Sequence, residues 1–223
     1  MAIGTKAMPF SFVAHFLGIV GAIMVLIWCI SFRGGLAWEA TNKNLIFNIH
    51  PVLMLIGLVI IGGEAIMSYK CLPLKKPEKK LIHLVLHAIA LILGIIGIYT
   101  AFKFHNESNI ANLYSLHSWL GIGVIVLYGI QWIYGFIIFF YPGGSTTIRS
   151  ESLPWHVLFW HFRVHFSSWH RYTRIPRKAY IPPELWSRKI WRRGLPCQLH
   201  CHCHNLVWGI CVLDNSFSAA SRR

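Results

Sequence analysis

LIHLVLHAIALILGIIGIYTAF, residues 81–102, is the stretch on which the fold turns. Over twenty-two residues it has no Asp, Glu, Lys or Arg, and its histidines are His83 and His87. A bilayer core about 30 Å thick is crossed by ~20 mostly apolar residues in a helix, so this stretch reads as a membrane span. Outward from it, residues 11–32, 46–67 and 113–141 read the same way. Glu64 is the one acid or strong base inside the four, and it lies near an end. That placement suits the roughly 3 kcal/mol cost of a charge at mid-depth. Hydrophobic residues make up 55% of the chain, and the expected fold is an all-α integral membrane helical bundle, multi-pass, with four clear transmembrane helices. The first span is too long for the apolar part of a secretory signal, and no small-residue cleavage pattern closes it, so it is expected to be retained. Recurrent glycines in the spans, among them Gly57, Gly94 and Gly97, would let helices approach closely.

Orientation follows from the basic residues of the links. The segment 68–80 holds Lys70, Lys75, Lys76, Lys79 and Lys80, and Lys6 and Arg149 fall on the same side; the other side has Arg33, Lys43 and Lys103. Cations concentrate on the cytosolic side of membrane proteins, so a cytosolic amino terminus is expected. Asn106-Glu107-Ser108 then lies in a non-cytosolic loop and has the pattern of a glycosylation acceptor. Cys29 and Cys71 belong to opposite sides, which indicates no disulfide framework.

One histidine stands just inside the entry end of each long segment from the second onward: His50, His83, His117 and His156. Consecutive spans run in opposite directions, so the depths can be compared. At ~1.5 Å rise per residue, His50 and His117 both lie about 6 Å inside the outer face. His83 and His156 are matched in the same way beneath the cytosolic face. Two imidazoles on facing helices can take both axial positions of a haem iron, which then moves electrons and does not bind oxygen. One such centre near each face would divide a crossing too long for a single electron step. A lone histidine near a helix end more often snorkels to the interface, and His15 and His105 fit that description. His87 lies one turn from His83 on the same helical face and competes with it as a ligand.

Several stretches also resemble a known family. Ser115-Leu116-His117-Ser118-Trp119-Leu120-Gly121, Tyr141-Pro142-Gly143-Gly144-Ser145, Leu153-Pro154-Trp155-His156-Val157 and Phe47-Asn48-Ile49-His50-Pro51 are similar to the cytochrome b561 family, particularly its plant ascorbate-dependent members. The likeness covers residues 1–159. It implies a six-helix protein whose central helices hold two b-type haems, with His50 and His117, and His83 and His156, at the family's iron-ligand positions. The activity it implies is that of a transmembrane ascorbate-dependent oxidoreductase. Electrons would pass from cytosolic ascorbate to an outer acceptor, monodehydroascorbate or a ferric chelate, in an endomembrane, vacuolar or plasma membrane. Lys76, Lys80 and Arg149 match positions that the family uses for ascorbate, and Phe104, His105 and Asn106, with Tyr114 beside them, match its outer site, where a histidine can shuttle the proton. The family also implies a homodimer embedded in lipid. In the run Glu64-Ala65-Ile66-Met67-Ser68-Tyr69-Lys70, lysine replaces the arginine of the family's first signature, leaving a cation without the planar fork.

At Trp160 the composition changes. Residues 160–223 hold eleven cations against two anions, and so carry +9 of the +14 formal charge. No helix so charged crosses lipid. The expectation is a truncated fifth helix, a membrane domain of residues 1–159, and an aberrant basic tail of residues 160–223 with little fixed structure. A frame shift near Phe159 accounts for the change. Codons for Trp160 to His170 can be chosen so that the next frame reads Gly-Thr-Phe-Val-Tyr-Ile-Leu-Ala-Val-Gly, and the two Trp-His steps force glycine whatever codons are used. The tail's Cys197-Gln198-Leu199-His200-Cys201-His202-Cys203-His204 has soft-metal ligands, but an out-of-frame product has no selected metal. Its arginines and tryptophans suit acidic headgroups and no specific nucleic acid. With its helix damaged, His156 is expected to hold the inner haem weakly, and the outer haem is the more secure. Two other readings stay open on the residues alone: a haem-free four-helix scaffold or transporter, and metal or nucleic-acid binding by the tail.

Overall fold

The computed structural model describes residues 8–172, and the statements of structure below concern those residues. Six α-helices follow one another: α1 (Met8–Ile27), α2 (Asn44–Leu53), α3 (Gly62–Cys71), α4 (Lys76–Glu107), α5 (Leu116–Phe139) and α6 (Thr146–Tyr172). A π-helical turn, Trp28–Phe32, extends α1, and a π-helical segment, Met54–Ile61, joins α2 to α3 into one rod. Four spans are long and apolar enough to cross a membrane: Ser11–Phe32, Asn44–Tyr69, Lys76–Glu107 and Leu116–Phe139. These are the four expected, lengthened or shortened by a few residues at their ends.

The helix starts have local causes. Lys75 donates its backbone N–H to the Glu78 carboxylate at 3.0 Å, with Pro77 in the first turn of α4; proline suits that place because its missing N–H would have had no partner there. Ser115 caps α5 by accepting the Ser118 N–H at 3.2 Å, which satisfies one of the donors that a helix start leaves over. The Ser115-Leu116-His117-Ser118 run is therefore a cap that sets His117 in the first turn of α5. Pro51 sits inside α2 without an amide to give, and the amide of Met54 is shared between the carbonyls of His50 and Pro51 where the wider π-helical segment begins. Such widenings recur next to functional residues.

The rod of α2 and α3 packs along α4, α4 packs on α5, α5 on α6, and α1 lies against α2 and the π-helical segment. Gly57 makes the first of these contacts close: a Cβ there would come 2.6 Å from the Cβ of Leu93. That atom is fixed to the backbone of α4 and cannot swing away. Gly57→Ala should therefore push the rods apart and cost roughly 1–3 kcal/mol; thermal unfolding in detergent should show a lower midpoint, and an unchanged one would mean that the contact is looser than described.

Polar ties hold the two ends. At the end that holds Arg33, Asn48, fully buried, accepts from Arg33 Nε at 2.9 Å and donates through Nδ2 to the carbonyls of Arg33 (3.2 Å) and Gly35 (2.8 Å). Those bonds fold the turn after the first span onto α2, and Gly34 and Gly35 take the positive φ values, 86° and 112°, that the turn requires. Glu107 meets Lys43 at 2.7 Å and Lys103 at 3.4 Å, and Lys103 meets Glu39 at 3.6 Å, so the loop before α2 is pinned to the end of α4. At the other end His15 Nε2 lies 3.1 Å from Glu64 Oε2, which joins α1 to α3. His15, half-exposed near the end of its span, thus has a specific partner there.

One expectation needs correction. Fixed structure does not stop at Trp160: α6 runs unbroken to Tyr172. Between Pro154 and Pro176 there is neither proline nor glycine. Tryptophan, histidine, phenylalanine and arginine can all extend a helix, and a composition barred from lipid is not thereby barred from helical geometry. Among the described residues α6 is still not one of the helices apolar enough to span. Residues 173–223, including the Cys197–His204 motif, lie outside the described residues.

Candidate functional site

The structure brings His50 of α2 and His117 of α5 together, with ring centres 6.4 Å apart and planes at 75°. Metal–imidazole bonds are about 2 Å and a ring nitrogen sits roughly 1 Å from its ring centre, so two imidazoles gripping one iron from opposite sides have centres roughly 6 Å apart. The observed spacing fits. His50 Nδ1 is 2.8 Å from the carbonyl oxygen of Gly97. A carbonyl can only accept, so Nδ1 carries the proton and Nε2 presents its lone pair. This is how metal-binding histidines are ordinarily held.

His83 shows the same device, with Nδ1 2.8 Å from the carbonyl oxygen of Ala65 and Tyr69 edge-on at 5.5 Å. His87, its rival in the sequence, lies edge-on at 4.4 Å. Its own Nδ1 is 2.6 Å from the Tyr128 hydroxyl, in the buried interior. His83 is therefore anchored on a backbone carbonyl, as His50 is, while His87 meets a side-chain hydroxyl. His156 stands on α6 with its ring edge-on to Phe139 at 5.4 Å and its backbone carbonyl accepting from Gln131 Nε2 at 2.9 Å. Gly135 of α5 faces that ring so closely that a Cβ there would lie 3.3 Å from His156 Cε1. The ring thus points into the α5–α6 seam.

At the end that carries the lysines, Lys76, Lys80 and Arg149 line one cavity of about 410 Å3 with Pro77, Phe139 and Phe140. Lys80 Nζ donates to the carbonyl of Phe139 at 3.1 Å. Arg149 Nε donates to the carbonyl of Gly144 at 2.6 Å, and Gly143, at φ 82°, leaves room for the guanidinium, whose Nη2 would lie 3.3 Å from an added Cβ. The Tyr141-Pro142-Gly143-Gly144-Ser145 run is thus the cradle of Arg149. Three cations around one apolar-floored cavity repel one another and favour a small anion there.

At the opposite end the rings form a ladder. Phe47 stacks on His50 at 5.7 Å, Phe104 meets Phe47 at 5.0 Å, His105 follows at 5.7 Å, and Tyr114 closes the row at 5.8 Å. Asn106 accepts from Asn112 Nδ2 at 2.6 Å in the last turn of α4. Phe104, His105, Asn106 and Tyr114, named together from the sequence, therefore lie together, and Phe47 joins them to His50. Phe47, Asn48, Thr100 and Tyr128 were missed as supports. Three of them are polar-bearing side chains inside apolar spans, which is a usable signal because a polar group there needs a named partner.

Comparison with known proteins gives a consistent picture. The sequence profile described as eukaryotic cytochrome b561 matches residues 49–174. Transmembrane ascorbate ferrireductase 1 of Arabidopsis thaliana is 72% identical over 158 residues, which are 71% of this chain and 66% of that protein. Ascorbate-specific transmembrane electron transporter 2 of Zea mays is 66% identical over 160 residues, 71% of this chain and 68% of that protein. A transmembrane ascorbate-dependent reductase of Mus musculus is 39% identical over 147 residues, 66% of this chain and 58% of that protein. The chain spans about two thirds of the length of the plant relatives.

Proposed function

We propose, from the premise that this chain belongs to the cytochrome b561 family, that it carries single electrons across a membrane from ascorbate to an outer acceptor, monodehydroascorbate or a ferric chelate. The chain is an integral membrane protein. The observation that carries the reading is the facing pair His50 and His117, whose ring spacing would let both hold one haem iron, with the proton of His50 fixed on Nδ1. These two would hold an outer b-type haem, and His83 with His156 an inner one. Bound haem supplies a one-electron couple.

The chain's own residues do the rest. Ascorbate is a monoanion at neutral pH, and Lys76, Lys80 and Arg149 neutralise it in a cavity on the side that the cation count makes cytosolic. Loss of one electron leaves a radical whose hydroxyl proton departs, and the cations stabilise the anion that remains. At the outer end a ring nitrogen of His105 is placed to give a proton to a reduced acceptor held beside Phe104, Asn106 and Tyr114. Apolar residues of the spans exclude water between the two ends. The reading extends to a homodimer in lipid, with the amino terminus in the cytosol, and to a frame shift as the origin of the tail.

Ascorbate added to the purified chain should give a reduced-minus-oxidised b-type spectrum, and absence of any Soret band from haem-replete cells would remove the function. Haem content per chain is a separate expectation. Because the helix of His156 becomes strongly basic beyond Trp160, the firmly bound content should be close to one and should reside at His50 and His117. Two full bis-histidine equivalents would show that the altered tail leaves the inner centre intact.

A further inference from the structure

The carbonyl oxygen of Gly97 serves two side chains at once. His50 donates to it from α2 at 2.8 Å, and Thr100 Oγ1 donates to it from one turn along α4, also at 2.8 Å. Both bonds come in addition to the i+4 amide that a helix directs at the same oxygen. Thr100 is fully buried. A helical threonine commonly bonds back to a carbonyl three or four residues earlier only to satisfy its hydroxyl. Thr100 differs because the acceptor it uses is the one that anchors His50. Gly97 makes the sharing feasible: a Cβ there would lie 3.1 Å from the Cβ of Leu53 and hold α2 away.

Donors that share one oxygen compete for its electron density, so each weakens the others. The strength of the bond at Nδ1 governs the basicity of a histidine ligand at Nε2, and hydrogen bonding around the ligands is one of the levers that set the potential of a haem. A more basic imidazole favours ferric iron and lowers the potential. A hydroxyl that draws density from the Gly97 carbonyl weakens the hold on His50 and acts in the opposite direction.

We propose that Thr100 tunes the outer centre, its hydroxyl competing with His50 for the Gly97 carbonyl and so keeping the reduction potential at that centre high. Thr100 is a positioning residue that acts through His50 and touches neither substrate nor iron. A high potential at the outer end favours arrival of the electron there from the inner side. The inference rests on the reading of His50 and His117 as haem ligands.

The test uses the full chain, the variants Thr100→Val and Thr100→Ser, and a redox titration of haem absorbance alongside haem content. Thr100→Val should keep its haem and titrate at a lower midpoint potential, while Thr100→Ser, which restores a hydroxyl, should titrate with the unaltered chain. Should Thr100→Val not fold, Thr100→Ala removes the same hydroxyl with less bulk and should show the same downward shift. Equal potentials in all variants would overturn the proposal, and so would an equal shift in Thr100→Val and Thr100→Ser, which would reflect packing alone. Absence of haem from the unaltered chain would sink the ligand reading itself, a result distinct from an unmoved potential.

Discussion

His50→Ala is expected to strip the chain of its firmly bound haem and to lower ascorbate-driven electron transfer by more than about 100-fold, beyond the 10–100-fold typical when only a ligand's hydrogen-bond partner is lost. The ring of His50 is anchored at the Gly97 carbonyl and faces His117 at 6.4 Å, so its removal takes away both one ligand and the anchor between α2 and α4. His117→Ala should have the same spectral result with the anchor left in place. Absorbance spectra of the purified variants, and bleaching of an acceptor dye across a vesicle wall loaded with ascorbate, read the two effects. A full Soret band in either variant would overturn the assignment.

The other large effect is expected at the lysine-bearing end. Lys80→Ala and Arg149→Ala each remove a cation from the cavity floored by Phe139 and Phe140. A hydrogen bond to a charged group contributes about 1.5–3 kcal/mol, so each change should raise the KM for ascorbate roughly 10- to 150-fold. Saturating ascorbate should largely restore the rate, because in the proposed function these groups bind the donor and do not carry the electron. Lys80→Arg, which keeps the charge, should be far milder. An unaltered KM in the double variant would move the donor elsewhere. Since Lys80 also ties α4 to α5 through the Phe139 carbonyl, thermal unfolding should accompany the kinetics.

Much of this organisation was legible beforehand because the bilayer imposes a length and because alternating direction makes depth a matter of counting. The spans and the level placement of His50 with His117 come from those two constraints. The ends moved where charged termini are capped: α4 begins at Lys76, five residues before its apolar part, because Pro77 and Glu78 start a helix whatever the surroundings. What stayed hidden was pairing across the bundle. Nothing local to His50 says that its proton will rest on a carbonyl forty-seven residues away, and nothing local to His87 says that Tyr128 will take its nitrogen. The course of α6 from Trp160 to Tyr172 was not legible because the charge that bars those residues from lipid says nothing of helical geometry, and the prolines that break a helix begin only at Pro176.

One rod would register both of the proposed centres. α4 bears His83 directly and, fourteen residues on, offers the Gly97 oxygen that fixes His50. The interval is thus a ruler of about 21 Å, at ~1.5 Å per residue, with no hinge between its marks. Loops elsewhere can lengthen or shorten through evolution without altering it. A single residue added to or taken from α4 between those marks would swing one end about 100° relative to the other, so any lineage that keeps both centres has to keep this count.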